Sequence, residues 1–239
     1  MANGWYPITK RNSFMEKGGV IKIVKDILFP IFCVDCGVEG SFCCDDCLAN
    51  FKQNKIIKID FRLKKQVRAV YLDNLTALFD YKKNLYIQKL IHLFKYEYCE
   101  EVGDIWQNFY KMFLDFNTHY DFIIPVPLHQ RRLKERGFNQ SEVLANKLYE
   151  EFCIYNSKVI LNTRDLKRIR YTTQQIHLGG EKRAENLQNA FAWSGGDLIG
   201  KKILLVDDVY TTGATLNESA KVLKNVGACQ VDCLVLAKD

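Results

Sequence analysis

Two adjacent carboxylates, Asp207 and Asp208, close a four-residue apolar run, Ile203–Val206, and are followed by Thr211, Thr212, Gly213, Ala214 and Thr215. Paired carboxylates accept hydrogen bonds from ribose hydroxyls. A loop of hydroxyls around a glycine, at the start of a helix, offers O–H and backbone N–H donors to a phosphate. Together they suit a sugar phosphate. An ordinary strand-to-helix turn with a chance acidic pair is the alternative, and the fixed offsets of glycine, hydroxyls and acids argue against it.

Two further clusters could do chemistry. Arg131, Arg132, Lys134 and Arg136 follow a proline-pinned loop, Pro125 to His129 with Pro127 and Leu128 between. Four cations at the turn between a strand and a helix form a dock for a polyanion such as pyrophosphate, or simply a solvated basic loop. Near the N-terminus, Cys33-x-x-Cys36 and Cys44-x-x-Cys47 are separated by seven residues. Two such knuckles can set four thiolates around one structural Zn²⁺, with Gly37 making the first turn. Cys43 can replace Cys44 in principle, but only Cys44 keeps a two-residue gap to Cys47. Buried cysteines without metal are the plainer alternative.

The elements that must position these groups are legible in outline. Ile203–Val206 has the continuous apolar character of a strand buried on both faces. Thr211–Thr215 forms the turn, and Leu216–Val226 an amphipathic helix. Phe122 onward predicts a short strand, and a helix after Gly137 with Asn139 or Ser141 as its cap. Asn84–Leu114 reads as helix, broken near Gly103. Val67–Tyr71 and Ala77–Tyr81 read as strands that turn at Asp73-Asn74 into a hairpin. Val159–Leu161, Ala190–Trp193 and Cys229–Leu236 add strands, Glu181–Leu187 a helix, and Val20–Leu28 a short helix. The polar stretch from 164 to 180 lacks periodicity and reads as a lid or loop.

Composition narrows the class. The chain has 239 residues, 48% hydrophobic and 26% charged, with a net charge of +6. That is an ordinary globular balance with a mild bias toward anionic ligands. Residues 1–17 lack the apolar stretch of a signal peptide, and no run has the length of a membrane span. Nine cysteines, an odd number with five inside positions 33–47, fit metal binding in the cytoplasm better than a disulfide framework. Lys52, Lys55, Lys58, Arg62, Lys64, Lys65 and Arg68 form a basic stretch that could face nucleic acid or solvent.

The stretch Ile203–Leu216 resembles the diphosphoribosyl-binding signature of type I phosphoribosyltransferases. Joined to the double Cys-x-x-Cys, Lys95-Tyr96, Pro125–His129, Arg136–Ser141, Thr172, Gln175, Leu178, Arg183, Asn186 and Ala190-Phe191, it resembles the ComF family of phosphoribosyltransferase-like proteins, from Cys33 nearly to the end. The resemblance implies an α/β fold: a type I phosphoribosyltransferase-like, mainly parallel sheet flanked by helices, with a small N-terminal zinc-ribbon module. The expected division is a tail and short helix at 1–28, the module at 29–66 and the phosphoribosyltransferase-like domain at 67–239. It also implies 5-phosphoribosyl 1-diphosphate with Mg²⁺ as ligand. Thr211–Thr215 would take the 5′-phosphate, Asp207 and Asp208 the ribose hydroxyls and the developing oxocarbenium charge. Pro127, Leu128, His129, Arg131, Arg132 and Arg136 would take the pyrophosphate.

Family members are associated with DNA uptake in competent bacteria, so single-stranded DNA or DNA-uptake proteins are expected partners. The chain departs from the family at Cys43, where an apolar residue is usual, and at Thr173-Gln174, where prolines are frequent. Purine-salvage relatives carry an acid where this chain has Thr211, which argues against 6-oxopurine salvage. Three readings stay open: a glycosyltransferase of unknown acceptor, a non-catalytic ligand-binding adaptor, and a DNA-handling component that uses the zinc module.

Overall fold

The computed structural model describes residues 30–62, 71–96, 100–155, 158–171 and 187–239. The expected helices at 20–28 and 181–187 fall wholly or almost wholly outside these residues, as do Lys64, Lys65, Arg68 and the greater part of the 164–180 stretch.

A six-stranded sheet organises the described chain. Its strands are β1 (Ile57–Asp60), β2 (Asn74–Asp80), β3 (Phe122–Pro125), β4 (Ile160–Leu161), β7 (Lys202–Tyr210) and β8 (Gln230–Lys238). Their order is β1-β2-β8-β7-β3-β4, with β1 antiparallel to β2 and every other pair parallel. A separate antiparallel pair joins β5 (Leu166–Arg168) to β6 (Phe191–Trp193). The helices are α1 (Asp45–Asn50), α2 (Leu85–Tyr96), α3 (Glu100–Phe113), α4 (Gln130–Arg136), α5 (Gln140–Tyr155) and α6 (Ala214–Asn225).

The sheet is buried on both faces, and its side chains alternate between two cores as a period of two requires. Leu204, Val206, Leu234 and Leu236 join one core with α2, α3 and α5, whereas Ile203, Leu205, Val231, Cys233 and Val235 join the other with α6 and the β5–β6 pair. This explains the unbroken apolar character of Ile203–Val206, since neither face is available to water.

The helix after β3 lies on one face and leads to β4; the helix after β7 lies on the opposite face and leads to β8. The strand order therefore reverses between β3 and β7, and open α/β sheets take their ligands at such a switch point.

Several expectations are corrected. The described antiparallel partner of β2 is β1, in register Ile57↔Ala77 and Asp60↔Asn74, and residues 67–70 of the anticipated hairpin lie outside the described residues. Gly103 lies inside α3 and does not break the helix. A Cβ there would sit 3.5 Å from Val143 Cγ1, an ordinary contact with α5. Residues 166–168, read as lid, form a strand. Residues 130–136, read as a turn, coil into α4, which ends at Gly137 with φ +84°.

The cysteine segment is joined to the main core. A bridge between Phe32 and Glu39 frames the first knuckle, and Cys44 opens α1 as its cap. Phe51, in the short 3₁₀ turn Phe51–Gln53, packs its ring 5.6 Å from Phe79, 5.0 Å from Tyr86 and 5.2 Å from Phe109.

Candidate functional site

The acid pair stands where β3 gives out. Pro125 pairs with Val206 and the Val126 N–H donates to Val206 O at 2.9 Å, after which β7 continues beside β8 alone as far as Tyr210. The strand runs four residues past the end of its apolar run, and Asp207 and Asp208 lie beyond the end of their shorter neighbour.

Asp207 is held from several sides. Its Oδ1 accepts from Ser141 Oγ at 2.7 Å and from the Asp208 N–H at 2.9 Å. Burial, and then the charge of Asp208, push the Asp207 carboxyl up to about 7, against the pull of Ser141, the Asp208 N–H and Lys95. Asp208 Oδ2 pairs with Lys95 Nζ at 3.1 Å.

A raised carboxyl pKa means the folded state holds this proton more tightly than the unfolded chain, whose value is about 3.9. That contribution to stability is complete below about pH 4 and is lost as pH rises through about 7. Asp207→Asn should remove the slope. Melting temperatures of the two proteins should converge at low pH and separate, in favour of the variant, toward neutrality; parallel curves would refute the burial argument.

Thr211, Thr212, Gly213, Ala214, Thr215 and Leu216 line one small open cavity together with Asp207, Val209 and Tyr210. Gly213 has φ +73° and precedes α6; it brings no capping side chain, and the Ala214 N–H donates to Thr212 Oγ1 at 3.4 Å. The N-terminal amides of α6, with their share of the helix dipole, thus face the cavity as an anion seat. Gly213 is required twice over: the left-handed backbone disfavours a Cβ, and a Cβ would strike the Tyr210 ring.

The basic loop is built by α4 and its caps. Pro127, Leu128 and His129 are half-buried between β3 and α4. His129 Nδ1 accepts from the Arg131 N–H at 3.2 Å and so caps α4. Arg131 donates to Glu135 and lies 4.7 Å over the Tyr171 ring, which also meets the His129 ring at 5.3 Å. Asn139 caps α5 through the Ser141 N–H and ties back to Val126 O at 3.1 Å. Arg136 donates to Gln140 Oε1 at 2.7 Å, while Gln140 Nε2 donates to Lys95 O at 3.3 Å.

Asp207 and the threonine–glycine loop thus share one cavity, and the basic loop is tied to the acid pair through Ser141, Gln140 and Lys95. Residues that the sequence reading did not assign to the site are Lys95, Gln140, Ser141, Tyr171 and Arg168. Burial lowers the Arg168 guanidinium from its usual range; the Arg132 charge adds to this and the Asp207 charge opposes it. The early signal for three of them was the family resemblance, which named Lys95-Tyr96 and Arg136–Ser141 without giving Lys95, Gln140 or Ser141 a role in the site.

The cysteines form a separate cluster. The Sγ atoms of Cys33, Cys36, Cys44 and Cys47 all lie within 4.8 Å of one another, and Cys36 and Cys44 approach to 3.5 Å. Thiolates at about 2.3 Å from a tetrahedral zinc stand about 3.8 Å apart, so this set fits such an ion. Cys44, not Cys43, belongs to the cluster. Cys43 turns its Sγ to Cys44 O at 3.8 Å, and burial pushes its thiol up to about 11.

Residues 132–239 match the phosphoribosyl transferase domain. Over a stretch of similar length the chain is related to competence proteins. It is 39% identical over 118 residues to competence protein F of Haemophilus influenzae, covering 48% of this chain and 49% of that protein. It is 34% identical over 119 residues to competence protein ComFC of Streptococcus pneumoniae (50% and 48%), and 40% identical over 117 residues to DNA utilization protein YhgH of Escherichia coli K12 (48% and 48%). The chain spans about half the length of the curated relatives it matches. A purine phosphoribosyltransferase from Pyrococcus horikoshii aligns at 19% identity over 50% of this chain and 72% of that one, with a TM-score of 0.31. The ComF resemblance read from the motifs is thus met by homologues of those names, and the sheet with its flanking helices is of the phosphoribosyltransferase type. No helix among the described residues is long and apolar enough to cross a membrane.

Proposed function

We propose that the chain binds 5-phosphoribosyl 1-diphosphate, or a closely related sugar phosphate, in the cleft between β3 and β7. The observation that carries this is the shared cavity of Asp207 and the loop Thr211–Thr215, with the start of α6 at the loop and the Asp207 carboxyl beside it. The loop and the α6 amides receive the 5′-phosphate. Asp207 and Asp208 accept from the ribose hydroxyls. Arg131, Arg132 and Arg136, with the Pro127–His129 turn, hold the diphosphate, and the charge of Arg168 adds to theirs. Mg²⁺, bound with the diphosphate, supplies neutralising charge to the leaving group.

Where transfer occurs, the C1–O bond to the diphosphate breaks and its electron pair leaves with the diphosphate. The carboxylates lie beside the ring that gains positive charge. Cys33, Cys36, Cys44 and Cys47 hold a structural zinc, since four thiolates leave no open position. The relatives' names, competence protein and DNA utilization protein, support a cytoplasmic role in handling incoming DNA.

The test is calorimetry plus turnover. The wild-type chain should bind the diphosphate donor with Mg²⁺, yet fail to convert hypoxanthine or guanine, because Thr211 stands where an acid would serve a 6-oxopurine. Clear turnover of either base would refute the second half; absence of binding would refute the first.

A further inference from the structure

Lys95 is the only cation within hydrogen-bonding reach of the acid pair among the ion pairs described, and it is built in rather than draped over it. Its Nζ lies 3.1 Å from Asp208 Oδ2, with side chains 26% and 16% exposed, so solvent screens the pair only in part. Lys95 lies in the last turn of α2, and its carbonyl accepts from Gln140, which is itself 2% exposed and fixed by Arg136.

The carboxylate oxygens are divided accordingly. Asp207 Oδ1 is spent on Ser141 and the Asp208 N–H, and Asp208 Oδ2 on Lys95. One oxygen of each acid remains, which matches the two O–H donors of a ribosyl diol. A divalent ion bridging the same two oxygens would lie beside an ammonium group and be repelled by it.

We propose that Lys95 is the resident counter-cation of the acid pair, a positioning residue that lets Asp207 and Asp208 receive a ribosyl diol with no divalent ion of their own. This rests on the sugar-phosphate function above. It confines any need for Mg²⁺ to ligands that carry a diphosphate.

Ribose 5-phosphate separates the two cases, because it has the diol and the 5′-phosphate without the diphosphate. By calorimetry the wild-type protein should bind it equally well in Mg²⁺-free and Mg²⁺-containing buffer. Mn²⁺ titrated alone and followed by electron paramagnetic resonance should find no site at the pair. Lys95→Met should lose about tenfold or more in Mg²⁺-free buffer, the worth of one charged contact. It should recover when Mg²⁺ is added, and should gain a Mn²⁺ site that Asp208→Asn removes. Lys95→Arg should keep the wild-type independence of metal, a rescue that lost packing would not give. Wild-type binding that requires Mg²⁺, or Lys95→Met binding that is unchanged without it, overturns the proposal. If ribose 5-phosphate and the diphosphate donor both fail to bind the wild type, the sugar-phosphate function falls, and this inference with it. If only the donor binds, the inference alone is overturned.

Discussion

Gly213→Ala is expected to weaken binding of the diphosphate donor by at least about tenfold, since a left-handed backbone alone costs a non-glycine residue about 1–2 kcal/mol. Two strains combine at this position. The backbone has φ +73°, and a Cβ would lie 2.6 Å from Tyr210 Cε2. Tyr210 cannot swing aside freely: it is buried, and its ring stacks on Phe61 with centroids 6.3 Å apart. The loop must therefore shift, and the amides of α6 shift with it. Because α6 buries Leu216, Ala220 and Leu223 against the sheet, the helix itself should survive. The expected signature is lost affinity with a modest fall in melting temperature. Unchanged affinity would show that the loop does not hold the ligand's phosphate.

The second large effect concerns the cysteines. Cys44→Ser and Cys47→Ser should each abolish bound metal, whereas Cys43→Ser should leave about one ion per chain. Zinc binding in small modules is worth an apparent 10–16 kcal/mol or so, comparable to the whole stability of a typical domain, about 5–15 kcal/mol. Here the loss should spread, because Cys33 and Cys47 are buried in the same core as Phe79, Tyr86 and Phe109. A strong chelator should accordingly lower the melting temperature of the entire chain by well over the 2–4 °C or so that 1 kcal/mol shifts at this size. Metal analysis with thermal melts checks both statements. Metal lost from Cys43→Ser and kept by Cys44→Ser would reverse the ligand assignment.

What the sequence made legible was local. The apolar run into Asp207-Asp208, the glycine at position 213 and the spacing of the four cysteines are each contained in a few residues, and each appears as expected. Pairings between distant segments were not legible. β1 as the partner of β2 depends on an antiparallel contact that no turn signature announced. Ser141 reaches Asp207 across 66 residues. Lys95 meets Asp208 because α2 packs where β7 outlasts β3, a consequence of sheet order rather than of any motif. Gly103 misled for a related reason: a glycine weakens a helix on its own, but α3 packs against α5, which lies elsewhere in the chain, and the helix continues through it.

The acid pair is where the sugar-phosphate function is most exposed to contradiction. Titration calorimetry of 5-phosphoribosyl 1-diphosphate with Mg²⁺, on the wild type and on the double variant Asp207→Asn/Asp208→Asn, tests it most directly. Asparagine keeps the shape of each side chain and removes both charges, so the fold should persist. The wild type should bind and the double variant should lose most of that affinity. A wild type that does not bind, or a double variant that binds as tightly, would contradict a phosphoribosyl ligand at the end of β7.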